Sequence, residues 1–132
     1  MPVKAPSSRN AIILAADVVS YSKFMEQDQN GTIACLSSHE GILKSLFLKY
    51  NGRLFNTGGD SYFVEFQDES SAVLCAIQFQ EKIASNNISR ADAIQLDFRI
   101  GINSGSVVDK GENLLGDGVN IAARLEALAQ PK

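Results

Sequence analysis

Asp17 and Asp60 are the residues best placed to do chemistry. Asp17 ends the apolar run Ala11-Ile12-Ile13-Leu14-Ala15-Ala16, and Asp60 follows Thr57-Gly58-Gly59 and opens a second strand-like run, Ser61-Tyr62-Phe63-Val64-Glu65-Phe66. A carboxylate at the tip of a buried strand is costly unless something pairs with it. Two of them on neighbouring strands repel each other, and a divalent cation is the usual remedy. The pair is therefore a candidate Mg²⁺ or Mn²⁺ site. The alternative is that one or both aspartates cap turns, since Asp beside Gly-Gly is a common turn residue.

A second polar pair lies near the end of the chain. The segment Gly116-Asp117-Gly118-Val119-Asn120-Ile121-Ala122-Ala123-Arg124-Leu125-Glu126 is rich in small residues and amphipathic. Asn120 and Arg124 are four apart and share a helix face. Arg offers a forked cation for phosphoryl oxygens, and Asn offers both a donor and an acceptor. The plainer alternative is a solvated Asn and an Arg paired with a nearby Glu. His39 reads as a residue of a solvated helix face, because no Ser or Cys nucleophile pattern accompanies it. Lys23 and Lys49 read as surface residues, and Asp68 and Asp117 as helix caps.

The elements that must position these residues alternate in type. Residues 10–19 form a continuous apolar strand suited to the middle of a covered sheet. Residues 20–28 form a short helix or turn. Residues 29–50 carry Ile33, Leu36, Leu43, Leu46, Phe47 and Tyr50 at helical spacing, and Asn51-Gly52 ends that helix. Residues 53–56 and 61–66 are the strands of a hairpin. A helix capped by Asp68 or Ser70 runs to about Ala84, with Ala72, Val73, Ala76, Ile77 and Ile83 on its buried face. A polar loop follows over 85–93, then a strand over 95–102, extended by Val107-Val108 after a break at Ser104-Gly105. Residues 109–113 form a charged loop. A last helix runs from Gly116 or Asp117 to Leu128, and Pro131 would stop it. This order gives an α+β chain with a ferredoxin-like, palm-like βαββαβ core. Its antiparallel central sheet carries helices on one face and leaves the other open to a substrate or partner subunit. The first strand and the hairpin are neighbours in that topology, which brings Asp17 and Asp60 together.

Bulk properties narrow the function classes. The chain has 132 residues, 45% hydrophobic and 20% charged, with a net charge of −3. That fits one globular domain, and no basic field recruits nucleic acid or an anionic membrane. No apolar run approaches membrane-spanning length. Residues 1–9 read as a flexible polar leader rather than a secretory signal, which makes the expected location cytoplasmic. Cys35 and Cys75 fall in helical segments and read as reduced, structural thiols.

Four segments together resemble the class III nucleotide cyclases of bacterial type, the adenylate and guanylate cyclase catalytic domains. They are Ala15-Ala16-Asp17-Val18-Val19-Ser20-Tyr21-Ser22, Gly52-Arg53-Leu54-Phe55-Asn56-Thr57-Gly58-Gly59-Asp60, Phe98-Arg99-Ile100-Gly101-Ile102-Asn103-Ser104-Gly105, and the helix from Gly116 to Glu126. The resemblance covers residues from about 11 to the chain end and implies a cyclase catalytic domain over 10–132. Gly58-Gly59-Asp60 is also similar to the hairpin of diguanylate cyclases, but the Asn120/Arg124 helix has no place in that family.

The resemblance implies a mechanism and a set of roles. Two divalent cations, Mg²⁺ or Mn²⁺, are held by Asp17, Asp60 and the Val18 carbonyl. The 3′-hydroxyl of a nucleoside triphosphate, ATP foremost, attacks its α-phosphorus and pyrophosphate leaves. Backbone amides around Val19, Ser20, Tyr21, Ser22 and Phe24 cradle phosphate oxygens. Asn120 orients the ribose, and Arg124 offsets charge on the α-phosphate. The site lies between two subunits of a homodimer, and a fused or partner domain regulates it. Arg99 belongs to a shared strand motif and reads as structural. Three departures stand out. Asn56 replaces an adenine-selecting Lys and Asn113 replaces its partner Asp, which leaves ATP against GTP open. The family domain continues with further strands and a phosphate-binding Lys, so C-terminal strands are expected beyond Lys132. The two Asn replacements also raise an alternative, a catalytically degenerate cyclase-like domain that dimerises and binds nucleotide as a regulatory module.

Overall fold

The computed structural model describes residues 8–90, 94–111 and 113–129. The first apolar run forms β1 (Ser8–Val18), so Ser8 and Arg9, expected in the leader, already belong to the sheet. Leu14, Ala16 and Val18 enter one core cluster, while Ala11, Ile13 and Ala15 enter another. Burial on both faces explains why the run is apolar throughout instead of alternating. There follow α1 (Tyr21–Gln27), α2 (Gln29–Lys49), β2 (Arg53–Thr57), β3 (Ser61–Phe66), α3 (Glu69–Ser89), β4 (Phe98–Lys110), β5 (Asn113–Leu115) and α4 (Asp117–Leu128). The sheet order is β2-β3-β1-β4-β5, with every pairing antiparallel. β1 to β4 with α2 and α3 make the expected ferredoxin-like core of an α+β fold.

Both core helices cover one face of the sheet. Phe79 sits at the centre, edge-on to Phe98 at a centroid distance of 5.1 Å and tilted against Phe47 at 6.2 Å. Burying such a side chain contributes roughly 1.5–3 kcal/mol. This anchor sets the rotation of α3: Ala72, Cys75, Phe79, Ile83 and Asn87 point inward, whereas Val73 and Ile77, expected on the buried face, are exposed. The side chain of Asp68 caps α3 by accepting from the Ser71 amide at 2.7 Å. The helix continues through Ser89, past the expected stop at Ala84, because Asn87 donates to the Leu96 carbonyl and ties the last turn to the chain entering β4. Residues 91–93 of the expected loop lie outside the described residues, as do residues 1–7 of the leader and Pro131. Cys35 and Cys75 are free and buried, and burial pushes the Cys75 thiol up to about 12.

His39 is not on a solvated face. It is fully buried on α2, in line with Thr32, Cys35, Leu43 and Leu46. Asn86 Nδ2 donates to His39 Nδ1 at 2.9 Å, and His39 Nε2 lies 3.4 Å from Cys35 Sγ. That arrangement suits the neutral imidazole, and burial holds its pKa below the usual 6.5. An unfolded His39 takes up a proton below that value while the folded one resists. Stability is therefore complete above pH 6.5 and declines as pH falls through it, by at most about 1.4 kcal/mol per pH unit. In urea unfolding between pH 5 and 8, the stability of the native chain relative to His39→Asn should fall as pH drops through 6.5, a comparison that cancels the opposing pH dependence of other groups.

The opposite face is partly covered, although the topology alone left it open. α4 lies across β1 and β4 there, and the end of β4 with β5 curls over the same side, packing Leu114 with Ala11, Ile13, Ala15, Phe55 and Phe63. Ser104-Gly105 makes no break. β4 runs through it, pairing Ser104 with Ile12 and Gly105 with Ala11. Asp109 and Lys110 extend β4, and Asn113 begins β5, where a loop was expected. The glycine at 105 serves close packing instead of a turn, since a Cβ there would lie 3.0 Å from Gly118 Cα.

Candidate active site

Asp17 and Asp60 meet at one rim of the sheet. Asp17 pairs in register with Ser61, and the Val18 amide donates to the Asp60 carbonyl at 3.2 Å. Both side chains are partly buried. Burial, with the nearby Asp17 charge as a lesser cause, raises the Asp60 carboxyl above its usual range. Two further charges join them. Arg99, opposite Asp17 on β4, brings Nη2 to 3.6 Å from Asp17 Oδ1 and Nε to 3.4 Å from Glu126 Oε1. Glu126 is itself buried near the end of α4, and its carboxyl is pushed up to about 8 by burial, by hydrogen bonding to Asp17 and by the Asp17 charge, against the pull of Arg99. Sequence reasoning missed Glu126 and took Arg99 as structural. The available signal was the spacing Gly118, Ala122, Glu126, which puts the acid on the sheet-facing side of α4.

α4 reaches this depth because glycines let backbones touch. A Cβ at Gly101 would collide with the Glu126 amide, the Leu125 carbonyl carbon at 2.7 Å and the Ala122 oxygen at 2.8 Å. Asn103 Nδ2 donates to the Gly118 carbonyl at 3.1 Å and locks the start of the helix. Gly118, Ala122 and Glu126 are buried. Asn120 and Arg124 lie about 160° around the helix from them and are exposed. Neither side chain makes a hydrogen bond or ion pair with another described residue. Beside them Ile121, Leu125 and Leu128 are 40%, 42% and 82% exposed, an apolar stripe on the outer side of the helix. The chain's Asn/Arg pair thus faces away from its own aspartates.

The expected phosphate and purine positions are partly changed. The Val19 amide is already bound to the Asp97 carbonyl at 2.9 Å, and the Phe24 amide to the Ser20 carbonyl at 3.1 Å, so these two are engaged. Ser20 adopts a left-handed conformation and starts α1, whose first-turn amides, including those of Tyr21 and Ser22, have no intrahelical acceptor. Val19, Ser20, Lys23, Phe24, Gln95 and Asp97 line a cavity of about 200 Å³ there. Asn56 is exposed on β2. Asn113 is half-buried on β5, and its Oδ1 accepts from the Leu114 amide at 2.8 Å. Curling of the sheet brings β2 and β5, at opposite ends of the strand order, into contact, so the two Asn-bearing strands adjoin.

The acidic rim suits a hard divalent cation. Asp17 Oδ1 is buried without a hydrogen-bond partner. Among the described residues no group of three or more His, Cys, Asp or Glu is arranged to hold a metal. The two carboxylates match the hard oxygen donors that Mg²⁺ takes, with water and substrate phosphates completing its shell. No helix among the described residues is long and apolar enough to cross a membrane.

Comparison with known proteins bears on this geometry. Residues 3–132 match the family model described as the adenylate and guanylate cyclase catalytic domain. The chain is 40% identical over 124 residues to the Rhizobium meliloti (strain 1021) protein "Putative adenylate cyclase 3", covering 93% of this chain and 21% of that one. It thus spans about a fifth of that relative's length. A solved "Adenylate/Guanylate Cyclase/Hydrolase" from Silicibacter pomeroyi superposes with a TM-score of 0.84 at 29% identity, over 96% of this chain and 74% of the other. The fold is also shared, with a TM-score of 0.80 at 19% identity over 95% of this chain and 76% of the other, by the catalytic core of a rhodopsin-guanylyl cyclase with converted specificity, solved in complex with ATPalphaS.

Proposed function

The chain belongs to the adenylate and guanylate cyclase catalytic domain family, and we propose that it is one subunit of a dimeric purine nucleotide cyclase acting in signal transduction. Its substrate is ATP before GTP, in keeping with the adenylate cyclase name of its 40% identical relative. The products are the 3′,5′-cyclic monophosphate and pyrophosphate. The observation that carries the dimer is the orientation of α4: Asn120 and Arg124 project outward beside an exposed apolar stripe, while Asp17 and Asp60 lie at a rim they do not face. A two-fold partner laid on that stripe brings its Asn120 and Arg124 to this chain's aspartates, and each interface then holds two complete sites.

In this reading Asp17, Asp60 and the Val18 carbonyl hold two Mg²⁺ or Mn²⁺ ions. Bound there, the ions supply the positive charge that favours the ribose 3′-alkoxide and offsets the triphosphate. Ser20, Tyr21 and Ser22 present backbone amides to phosphate oxygens. The partner's Asn120 orients the ribose, and the partner's Arg124 meets the charge that grows on the α-phosphate as the 3′-oxygen bonds to phosphorus and the bond to the departing pyrophosphate breaks. Asn56 and Asn113 read the purine edge with neutral amides, which gives up charge-assisted bonds worth roughly 1–2 kcal/mol each. Discrimination between ATP and GTP is then weak.

The test is cyclic nucleotide formation by the full-length protein with Mn²⁺ and either ATP or GTP. Product from ATP, with a smaller yield from GTP, supports the reading. A folded dimer that forms neither product overturns it and leaves a nucleotide-binding regulatory module.

A further inference from the structure

Arg99 lies beside one of the two aspartates that the proposed metal would use. Its guanidinium lies between two carboxylates, 3.6 Å from Asp17 Oδ1 and 3.4 Å from Glu126 Oε1, and it satisfies neither. Asp17 Oδ1, Arg99 Nε and Glu126 Oε1 are all buried without a hydrogen bond. One anchor holds the group in place: Nη1 donates to the Ala127 carbonyl at 3.4 Å, in the last turn of α4, where a helix end favours a cation. A buried cation shared at long range between two acids can complete its bonds with either one. Its choice depends on what else binds the acids.

We propose that Arg99 is the resident counter-cation of Asp17 in the metal-free protein, and that Glu126 is a positioning residue that takes Arg99 over when a divalent cation binds Asp17. This rests on the reading of Asp17 and Asp60 as metal ligands. Without metal, Arg99 is the cation shared by Asp17 and Glu126, and it relieves the repulsion at Asp17. A divalent cation on Asp17 repels the guanidinium across a few ångströms in a partly buried site. Glu126 is the second carboxylate beside Arg99, and the Ala127 carbonyl keeps the guanidinium next to it. The exchange needs only a small shift of a side chain whose planar fork can bond one carboxylate in two places.

Mn²⁺ binding to the nucleotide-free, full-length protein, followed by electron paramagnetic resonance of the free ion, tests this without any turnover. Arg99→Gln removes the competing cation and is expected to tighten Mn²⁺ binding roughly tenfold. Glu126→Gln leaves Arg99 with Asp17 as its only carboxylate among the described residues and is expected to weaken binding by a similar factor. Combining the two separates positioning from simple charge. In the Arg99→Gln background, Glu126→Gln should lose most of its effect, whereas an equal effect in both backgrounds shows Glu126 acting directly and overturns the proposal. Unchanged or weaker binding by Arg99→Gln also overturns it. If that variant does not fold, the cycle is run with Arg99→Met, which keeps an apolar stem without the charge, and the same loss of coupling is required. Asp17→Asn is the control. If it leaves Mn²⁺ binding intact, the metal reading has failed and the inference falls with it, whereas lost binding there without coupling between Arg99 and Glu126 overturns the inference alone.

Discussion

Asp17→Asn should lower cyclic nucleotide formation by at least about a thousandfold while leaving the fold and the dimer intact. The size follows from the role: loss of a carboxylate that anchors catalytic cations removes several kcal/mol of charge stabilisation at the reacting phosphate, and each 1.36 kcal/mol is about tenfold in rate. Survival of the fold follows from position. Asp17 is the penultimate residue of β1, its backbone pairs with Ser61 and Arg99 whatever its side chain, and an amide has nearly the carboxylate's shape. The substitution should even ease the rim. Burial is the main cause of the raised pKa of both Asp60 and Glu126 and Asp17 adds to it, so both should titrate lower in the variant, with Glu126 falling below about 8 while burial still holds it above its ordinary value. Carboxyl shifts followed by NMR against pH would show this in the metal-free protein. Turnover within tenfold of the native rate, in a variant with unchanged thermal unfolding, would remove Asp17 from the metal site.

Much of the fold was legible in the sequence because its main signals are local. The unbroken apolar run ahead of Asp17 demanded a strand covered on both sides. The helical spacing after Gln29, the hairpin turn at Gly58-Gly59 and the cap at Asp68 each define an element from nearby residues alone. The errors share a different cause, which is contact between residues far apart in the chain. Gly105 looks like a break until Gly118 is laid upon it. His39 looks solvent-facing until Asn86 of α3 and Cys35 supply its partners. Val73 and Ile77 fit a helical stripe as well as Cys75 and Phe79 do, and the aromatic cluster with Phe47 and Phe98 decides between them. The candidate site divides in the same way. Asp17 and Asp60 were legible as strand-tip acids brought together by topology. Glu126 was not, because only the close approach of α4 over Gly101 turns a helix-end Glu into a buried neighbour of Asp17.

Mixing two inactive variants should restore activity, and this is the result most particular to the geometry of α4. Arg124→Ala alone should cost about a hundredfold or more, since it removes a charge-assisted contact that strengthens as the reaction proceeds. Its side chain is exposed and makes no hydrogen bond or ion pair with another described residue, so the isolated subunit should be as stable as the native one. If both halves of a site came from one chain, a subunit carrying Asp17→Asn and a subunit carrying Arg124→Ala would each remain inactive in any mixture. The structure argues against that arrangement, because Gly118, Ala122 and Glu126 face the sheet and turn Arg124 away from it. In a mixed dimer one site collects both substitutions and the other collects neither. Random pairing makes about half of all dimers mixed, each with one of its two sites native, so roughly a quarter of native activity should return. The recovered rate should follow the fraction of mixed dimers as the ratio of the two subunits is varied. Absence of any recovery, when mixed dimers are present by native mass spectrometry, would mean that each chain carries a whole site of its own and that the outward-facing Asn120 and Arg124 serve something other than the partner's substrate.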